Sequence, residues 1–263
     1  MSKRAVMAFS GGLDSTGLLM HLLADDYRVD AISFDYGQKH SLELERSAAN
    51  IAYLKENNIS VSHRVIDLTS EMSTFESALT SSDAEIPEGH YEEEQMRQTV
   101  VPNRNAIFSS ILYGHALSIA NKEETGVELA LGVHSGDHII YPDCRPDFYD
   151  ALGHAFQVGN WDSEHVTFHL PFLNGDKATI LKDAEKSTAK LGLDFDTVFA
   201  NTNTSYNPDE EGRSSGKSGA DVERILAFNS IGRPDPVPYA EPWETVLENA
   251  LAIQKEFKHD KTS

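Results

Sequence analysis

The chain has 263 residues, 40 % of them hydrophobic, and its 42 acidic against 22 basic side chains leave a formal net charge of −20. The longest apolar runs, such as Leu129 to Val133, fall far short of the roughly 20 residues that a bilayer-spanning helix needs, so no membrane partner is expected. A pI near 4.8 speaks equally against broad nucleic-acid binding, which relies on Lys and Arg neutralising phosphates.

Cys144 is the single cysteine, which excludes a disulfide framework. With no apolar leader behind Met1, a reducing, cytoplasmic setting is expected. The length suits one α/β unit with a small appended piece.

The run Ala5 to Phe9 is continuously apolar, as expected of a strand buried on both faces. Ser10-Gly11-Gly12 breaks it, and Leu18, Leu19, Leu22 and Leu23 then recur at helical spacing, with Asp14, Ser15 or Thr16 placed to cap the helix. A second strand at Ala31 to Phe34 is followed by a helix over Leu42 to Asn57, and a third strand is expected at Val61 to Leu68. Residues 69–99 are polar, acidic and poor in periodicity, with Glu92 to Glu94 reading as a solvated face. A segment so long favours a lid over a simple connector. Helical periodicity returns at Ala106 to Ala120, and Leu129 to Val133 reads as a fourth strand. A helix at Tyr149 to Val158, an extended piece at Val166 to Leu170 and an amphipathic helix at Ala178 to Leu191 follow. After Ala200 the chain is dense in Asn, Ser, Gly and Asp, then recovers helical character at Val222 to Phe228 and Trp243 to Phe257. Alternating strands and helices imply an α/β, doubly wound, mostly parallel sheet of Rossmann-like type, with a small C-terminal helical and loop extension.

In such sheets ligands bind beyond the carboxyl ends of the strands. Ser10 to Thr16 (SGGLDST) is an anion cradle there, with glycines for close backbone approach and a helix N-terminus behind them. It differs from GxxxxGK[ST] and from GxGxxG in the number and spacing of its glycines. Three more clusters follow: Asp35-Tyr36-Gly37-Gln38-Lys39-His40, Val101-Pro102-Asn103-Arg104-Asn105, and Gly132 to Asp137 running on to Tyr141-Pro142-Asp143-Cys144-Arg145. Arg104 and Arg145 suit bidentate contact with a carboxylate or phosphate, and Asp137 and Asp143 suit the amino and ring N–H groups of a purine-like base. Two histidine groupings, His134 with His138 and His165 with His169, offer too few further ligands at fitting spacing for a metal site.

The SGGLDST string resembles the pyrophosphatase loop of N-type ATP-using adenylating enzymes. FDYGQKH, VPNRN, GVHSGDHIIYPDCRPDF and TNTSYNP, in that order, resemble the 7-cyano-7-deazaguanine synthase (QueC) family, and the likeness runs from Arg4 to about Pro234. The resemblance implies an ATP-pyrophosphatase α/β domain of the adenine nucleotide alpha-hydrolase type over residues 1–200, with 69–99 as lid or insertion, and a C-terminal extension over 201–263. It implies that ATP activates the carboxylate of 7-carboxy-7-deazaguanine as an adenylate, that ammonia gives the amide, and that dehydration gives the nitrile used in queuosine and archaeosine synthesis. Phe9, Ser10, Gly11, Gly12, Leu13, Asp14, Ser15, Thr16 and Gly17 are then the ATP-binding residues, with Mg²⁺. Asp14, Lys177 and Arg104 are the catalytic candidates, and Lys177 neutralises charge on the phosphates. Tyr36, Gln38, Asn105, Asp137, Tyr141, Asp143 and Arg145 are the candidates for the deazaguanine and its acyl group. Cys144, within the family's YPDCRP string, reads as a packing thiol.

The chain departs from the family at its C-terminal zinc site. Ser205, Ser215, Ser218 and Asp221 stand where the family has four cysteines. Serine hydroxyls do not replace thiolates for structural Zn²⁺, so zinc is not expected, and local hydrogen bonds from Ser, Asn and Asp should hold the loop instead. Two other readings remain at this level: a related enzyme of antiviral defence that transfers the activated deazaguanine to a protein amine, and an inactive nucleotide-binding scaffold. The amphipathic stretch after Ala240 suits either a homodimer or packing on its own core.

Overall fold

The computed structural model describes residues 3–38, 42–79, 88–92, 94–134, 136, 140–205, 209 and 211–260. Ala5, Val6 and Met7 are wholly buried, so β1 (Lys3–Ala8) has no face for water and takes the centre of the sheet. It pairs in parallel with β2 (Tyr27–Asp35) on one side and β4 (Val127–Ala130) on the other. The outer strands β3 (Ser62–Asp67) and β5 (Val166–His169) are also parallel, giving the order β3-β2-β1-β4-β5.

Helices cover both faces. On one lie α1 (Leu13–Ala24), α2 (Leu42–Glu56), α6 (Lys177–Leu191), α7 (Phe195–Ala200) and α8 (Gly219–Ser230), whose Leu18, Leu22, Leu54, Ile180, Phe199 and Phe228 share one core. On the other lie α4 (Arg104–Glu123) and α5 (Pro146–Gly159), burying Leu112, Ala116 and Tyr149. The doubly wound parallel sheet is therefore the one expected from the alternation of apolar runs. Strand order reverses between β1 and β4, which opens a crevice at their carboxyl ends.

Several boundaries differ from the sequence reading, each for a physical reason. The fourth strand ends at Ala130 rather than Val133. Leu131 N–H makes a last bond to the His169 carbonyl at 3.3 Å, and the backbone then bends toward α1, where a Cβ on Gly132 would lie 3.0 Å from the Asp14 carbonyl oxygen. Helix α1 begins at Leu13 after Gly12, and no side chain caps it, in place of the expected cap by Asp14, Ser15 or Thr16. The six-residue α7 was not anticipated: it is too short for periodicity, though Asp194 caps it by accepting from Thr197 N–H at 2.7 Å.

The 69–99 segment carries more structure than its composition suggests. It contains α3 (Thr69–Met72) and a 3₁₀ turn at Glu94–Thr99, it buries Met72, Leu79 and Met96, and Ala78 N–H bonds the Gln98 carbonyl at 2.7 Å. Glu92 is half-buried rather than solvated, and Glu93 lies outside the described residues.

The apolar stripe of α9 (Trp243–Asp260) is used within the chain: Val246 and Ala250 pack on Val222 and Ile225 of α8. Near its end Phe257 stacks on the buried His90 with ring centroids 3.8 Å apart, tying the helix to the 88–92 segment. No helix among the described residues is long and apolar enough to cross a membrane.

Candidate active site

The crevice holds a cavity of about 290 Å³ lined by the loop after β1, the ends of β2 and β4, and the starts of α2, α4, α6 and α8. Its floor is the turn from Phe9 to Leu13. Gly11 has φ +84°, and a Cβ there would sit 2.2 Å from the Glu43 carbonyl oxygen, so only glycine lets α2 come this close. Asn203 N–H closes on the Gly11 carbonyl at 3.0 Å. The loop hydroxyls brace the turn: Ser10 Oγ accepts from Gly12 N–H and Ser15 Oγ from Ser10 N–H, both at 3.2 Å. Replacing Gly11 by Ala is expected to destabilise the fold by about 1–3 kcal/mol through overpacking and positive-φ strain. The shift of the urea midpoint measures it, and a midpoint within error of wild type would refute this account of the turn.

Phe9, Ser10, Gly12, Leu13, Asp14 and Ser15 line the cavity. Gly11 lies against α2 behind it, and Thr16 and Gly17 turn into the core, where a Cβ on Gly17 would meet Ile180 Cγ2 at 2.3 Å. Those two belong to helix packing because α1 starts earlier than expected.

Beside the turn lies a buried charge cluster. Lys177 is the first residue of α6, behind the Asp176 cap that accepts from Thr179 N–H at 2.7 Å. Its Nζ lies 3.1 Å from Asp14 Oδ2, 2.7 Å from Glu223 Oε2 and 2.9 Å from His134 Nε2. Burial alone would raise the Asp14 carboxyl, but the Lys177 ammonium and His134 hold it far below the usual carboxylate range. Asp14 Oδ1 is buried and accepts no hydrogen bond, although His134 Nε2 is 3.7 Å away. Glu223 and His134 belong to this cluster, and sequence reasoning selected neither as a site residue. Glu223 stands in an ordinary helical stretch with no motif to mark it, and His134, though within the Gly132 to Asp137 cluster, was given no role of its own beyond a declined metal reading.

Two positions before Glu223, Asp221 occupies the hub of the loop that resembles a zinc site. Its Oδ2 accepts from Ser205 Oγ at 3.2 Å, Ser215 Oγ at 3.0 Å and Ser218 N–H at 3.3 Å, while Ser218 Oγ accepts from Asp221 N–H to complete a capping box. Burial pushes the Asp221 carboxyl up, and the bonds from Ser218, Ser215 and Ser205 pull it back.

The opposite wall carries the other predicted residues. Tyr36 is buried, and its hydroxyl accepts from Arg104 Nη1 at 3.5 Å. Arg104 opens α4 behind Asn103, a left-handed residue at φ +59°. Asn105 donates to the Asp143 carbonyl and to Cys144 Sγ, both at 3.5 Å, and Tyr141 shares a 2.6 Å hydrogen bond with Thr99 Oγ1. Tyr36, Arg104, Asn105 and Tyr141 line the cavity, as does the buried Cys144. Gln38, Asp143 and Arg145 do not. Gln38 folds back, accepting from Tyr36 N–H at 2.9 Å and donating to the Phe34 carbonyl at 3.4 Å, and Arg145 is the N-cap of α5. Asp137, with Lys39, His40, Ser135, His138, Tyr206 and Asn207, lies outside the described residues.

A glycine-rich turn, an uncapped helix N-terminus and a buried lysine between carboxylates, all at the switch point of a parallel sheet, define an α/β protein built to hold an anionic, nucleotide-like ligand. The chain belongs to the QueC family: the family model described as "Queuosine biosynthesis protein QueC" matches residues 4–232. It is 42% identical over 239 residues to the 7-cyano-7-deazaguanine synthase of Marinomonas sp., covering 91% of this chain and 99% of that one. It is likewise 42% identical to 7-cyano-7-deazaguanine synthase 2 of Colwellia psychrerythraea (90% of this chain, 99% of that one) and 40% identical to the synthase of Methanoregula boonei (90% and 99%).

Proposed function

We propose that this protein uses ATP to convert 7-carboxy-7-deazaguanine and ammonia into 7-cyano-7-deazaguanine, by way of an adenylated carboxylate and an amide. The observation that carries this reading is the Asp14–Lys177 pair at 3.1 Å beside the glycine turn, in a chain 42% identical to synthases of that name. A carboxylate is a poor electrophile. Transfer of AMP gives it a leaving group, provided the triphosphate is held so that pyrophosphate departs in line.

In this reading the amides and hydroxyls of Ser10 to Ser15 hold the phosphates. The first turn of α1 has no side-chain cap to compete for its N–H groups. Lys177 neutralises the departing pyrophosphate, and Glu223 and His134 hold its ammonium in place. Arg104 binds the acid group, Tyr36, Asn105 and Tyr141 contact the deazaguanine, and Asp137 receives its N–H groups. Gln38, Asp143 and Arg145 act at one remove, by bracing the wall. Residues 1–200 form the pyrophosphatase unit, and 201–263 an extension that reaches the site through Glu223. The protein acts in the cytoplasm.

Mg²⁺ fits the site: Asp14 Oδ1 is a buried carboxylate oxygen with no hydrogen bond, a hard ligand suited to a hard cation. Bound there, the ion would offset charge on the triphosphate. Structural zinc does not fit, because the three serines and one carboxylate offer no thiolate and are tied together through Asp221 Oδ2, which leaves Asp221 Oδ1 as a single buried hard oxygen without a donor.

The test is mass spectrometry of the products formed from ATP, Mg²⁺, ammonium and 7-carboxy-7-deazaguanine, with metal content read on the same sample. Nitrile with AMP supports the reading, and absence of ATP turnover overturns it. Chelation is expected to leave the melting temperature unchanged, and stoichiometric zinc would overturn the account of the Asp221 hub.

A further inference from the structure

Glu43, in the first turn of α2, lines the cavity, and the roles above give it nothing to do. Among the described residues its carboxyl forms no hydrogen bond or ion pair within contact distance. The Arg104 guanidinium acts on it only through space, and Tyr36 is the other titratable group near it. An acid so placed, half-buried beside a cavity and without a donor of its own, is ready to take one from a ligand. The nearby lining is aromatic. Phe34 stacks on Phe108 with centroids 4.1 Å apart, and Tyr36 packs on Phe108 at 5.6 Å, so π-faces border the same space. A carboxylate and aromatic rings bordering one cavity make a setting that favours a small monocation.

We infer that Glu43 is the receiving site for ammonium: it binds the cation and takes its proton, releasing ammonia beside the acyl group. This rests on the proposed synthase reading, in which the nitrogen donor is ammonium in neutral water and cannot attack until it loses a proton. The step balances. The Glu43 carboxylate takes one proton, the freed lone pair forms the C–N bond, and the carbonyl–oxygen bond to AMP breaks with its electron pair leaving on AMP. The surplus proton on the new nitrogen passes to solvent. With Arg104 committed to the acid group or phosphate of the substrate, the Glu43 charge is left for the incoming cation. Its acidity suits the task. Burial pushes the carboxyl up to about 7, against the pull of Arg104, so it can accept a proton at neutral pH and return it.

Hydroxylamine provides the test, since it is largely unprotonated at pH 7 and attacks without a base. Wild-type and Glu43→Gln enzyme are assayed with ATP, Mg²⁺, 7-carboxy-7-deazaguanine and either ammonium or hydroxylamine. Glu43→Gln should lower kcat/KM for ammonium on the order of 100-fold, while hydroxamate formation from hydroxylamine changes little. The wild-type ammonium rate should rise with pH and level off above about 7, where Glu43 is ionised, whereas the variant, dependent on the free ammonia in solution, should go on rising with pH beyond that point. Equal loss with both nucleophiles, or a rise in KM for the deazaguanine alone, would overturn the assignment while leaving the synthase reading standing. Absence of product from the wild-type enzyme with either amine would instead remove that reading, and this inference with it.

Discussion

Lys177→Met is expected to lower kcat/KM for ATP-dependent product formation by on the order of 10²–10³, the scale seen when a preorganised charge is removed from a site where charge develops. The ammonium is buried, and its Nζ reaches Asp14, Glu223 and His134 within 3.1 Å, so the methionine leaves two carboxylates close together without their cation. Burial then acts on Asp14 with only His134 against it, and its carboxyl, held far down in the wild type by Lys177 and His134 together, rises. In the wild type the depressed value makes this stabilisation complete at neutral pH, and it is lost only as pH falls through the folded-state value. In the variant it is absent, and a stability loss of about 3–5 kcal/mol accompanies the kinetic defect. Adding Glu223→Gln to Lys177→Met removes one of the stranded charges, so the double variant should recover stability without recovering rate. Steady-state kinetics with urea titration on the three proteins separates the two effects. A Lys177→Met enzyme within a few-fold of wild type would remove Lys177 from the chemistry.

The parts of the site readable in the sequence are those whose chemistry is local. Gly11 and Gly12 break a buried strand, and the residues after them are forced to the crevice whatever the rest of the chain does. Arg104 and Lys177 stand at helix starts, where periodicity announces a boundary and a polar edge. What was not legible depends on distant pairing. Glu223 reads as a solvent position until α8 packs on α6 and brings its carboxylate 2.7 Å from a lysine 46 positions earlier. Gln38 looks like a ligand donor in isolation, yet its amide is taken by the end of its own strand. Asp221 shows both sides. The absence of thiolates is plain in the sequence, and local hydrogen bonding was the expected replacement. That a single carboxylate would gather Ser205, Ser215 and Ser218 at once follows only from the meeting of two loops.

Asp235→Ala should be the most destabilising change in the C-terminal segment, by about 3–5 kcal/mol, because it strands a fully buried guanidinium. Arg224 and Asp235 have side chains 1% and 0% exposed, and the pair is bidentate, with Nε to Oδ2 at 2.6 Å and Nη2 to Oδ1 at 2.9 Å. The remaining donors of Arg224 reach Thr202 and Thr204 hydroxyls at 2.8 and 2.9 Å and the Phe199 carbonyl at 3.3 Å, none of which carries charge. The aspartate also accepts from Tyr239 at 2.7 Å and Val237 N–H at 3.2 Å, so its loss leaves further donors unmet. Asp235→Asn keeps an acceptor and should sit between alanine and wild type. Arg224→Met with Asp235→Ala removes the stranded charge and should regain part of the loss, since a buried ion pair and an apolar replacement of similar volume often balance. The consequence reaches the cavity: Arg224 adjoins Glu223 on α8 and holds Thr204, which lines the crevice. A double variant that is folded but slow would therefore show that the pair aims Glu223 as well as stabilising the helix. A urea midpoint for Asp235→Ala close to that of wild type would instead mean that α8 is held by its apolar contacts with α6 and α9 alone.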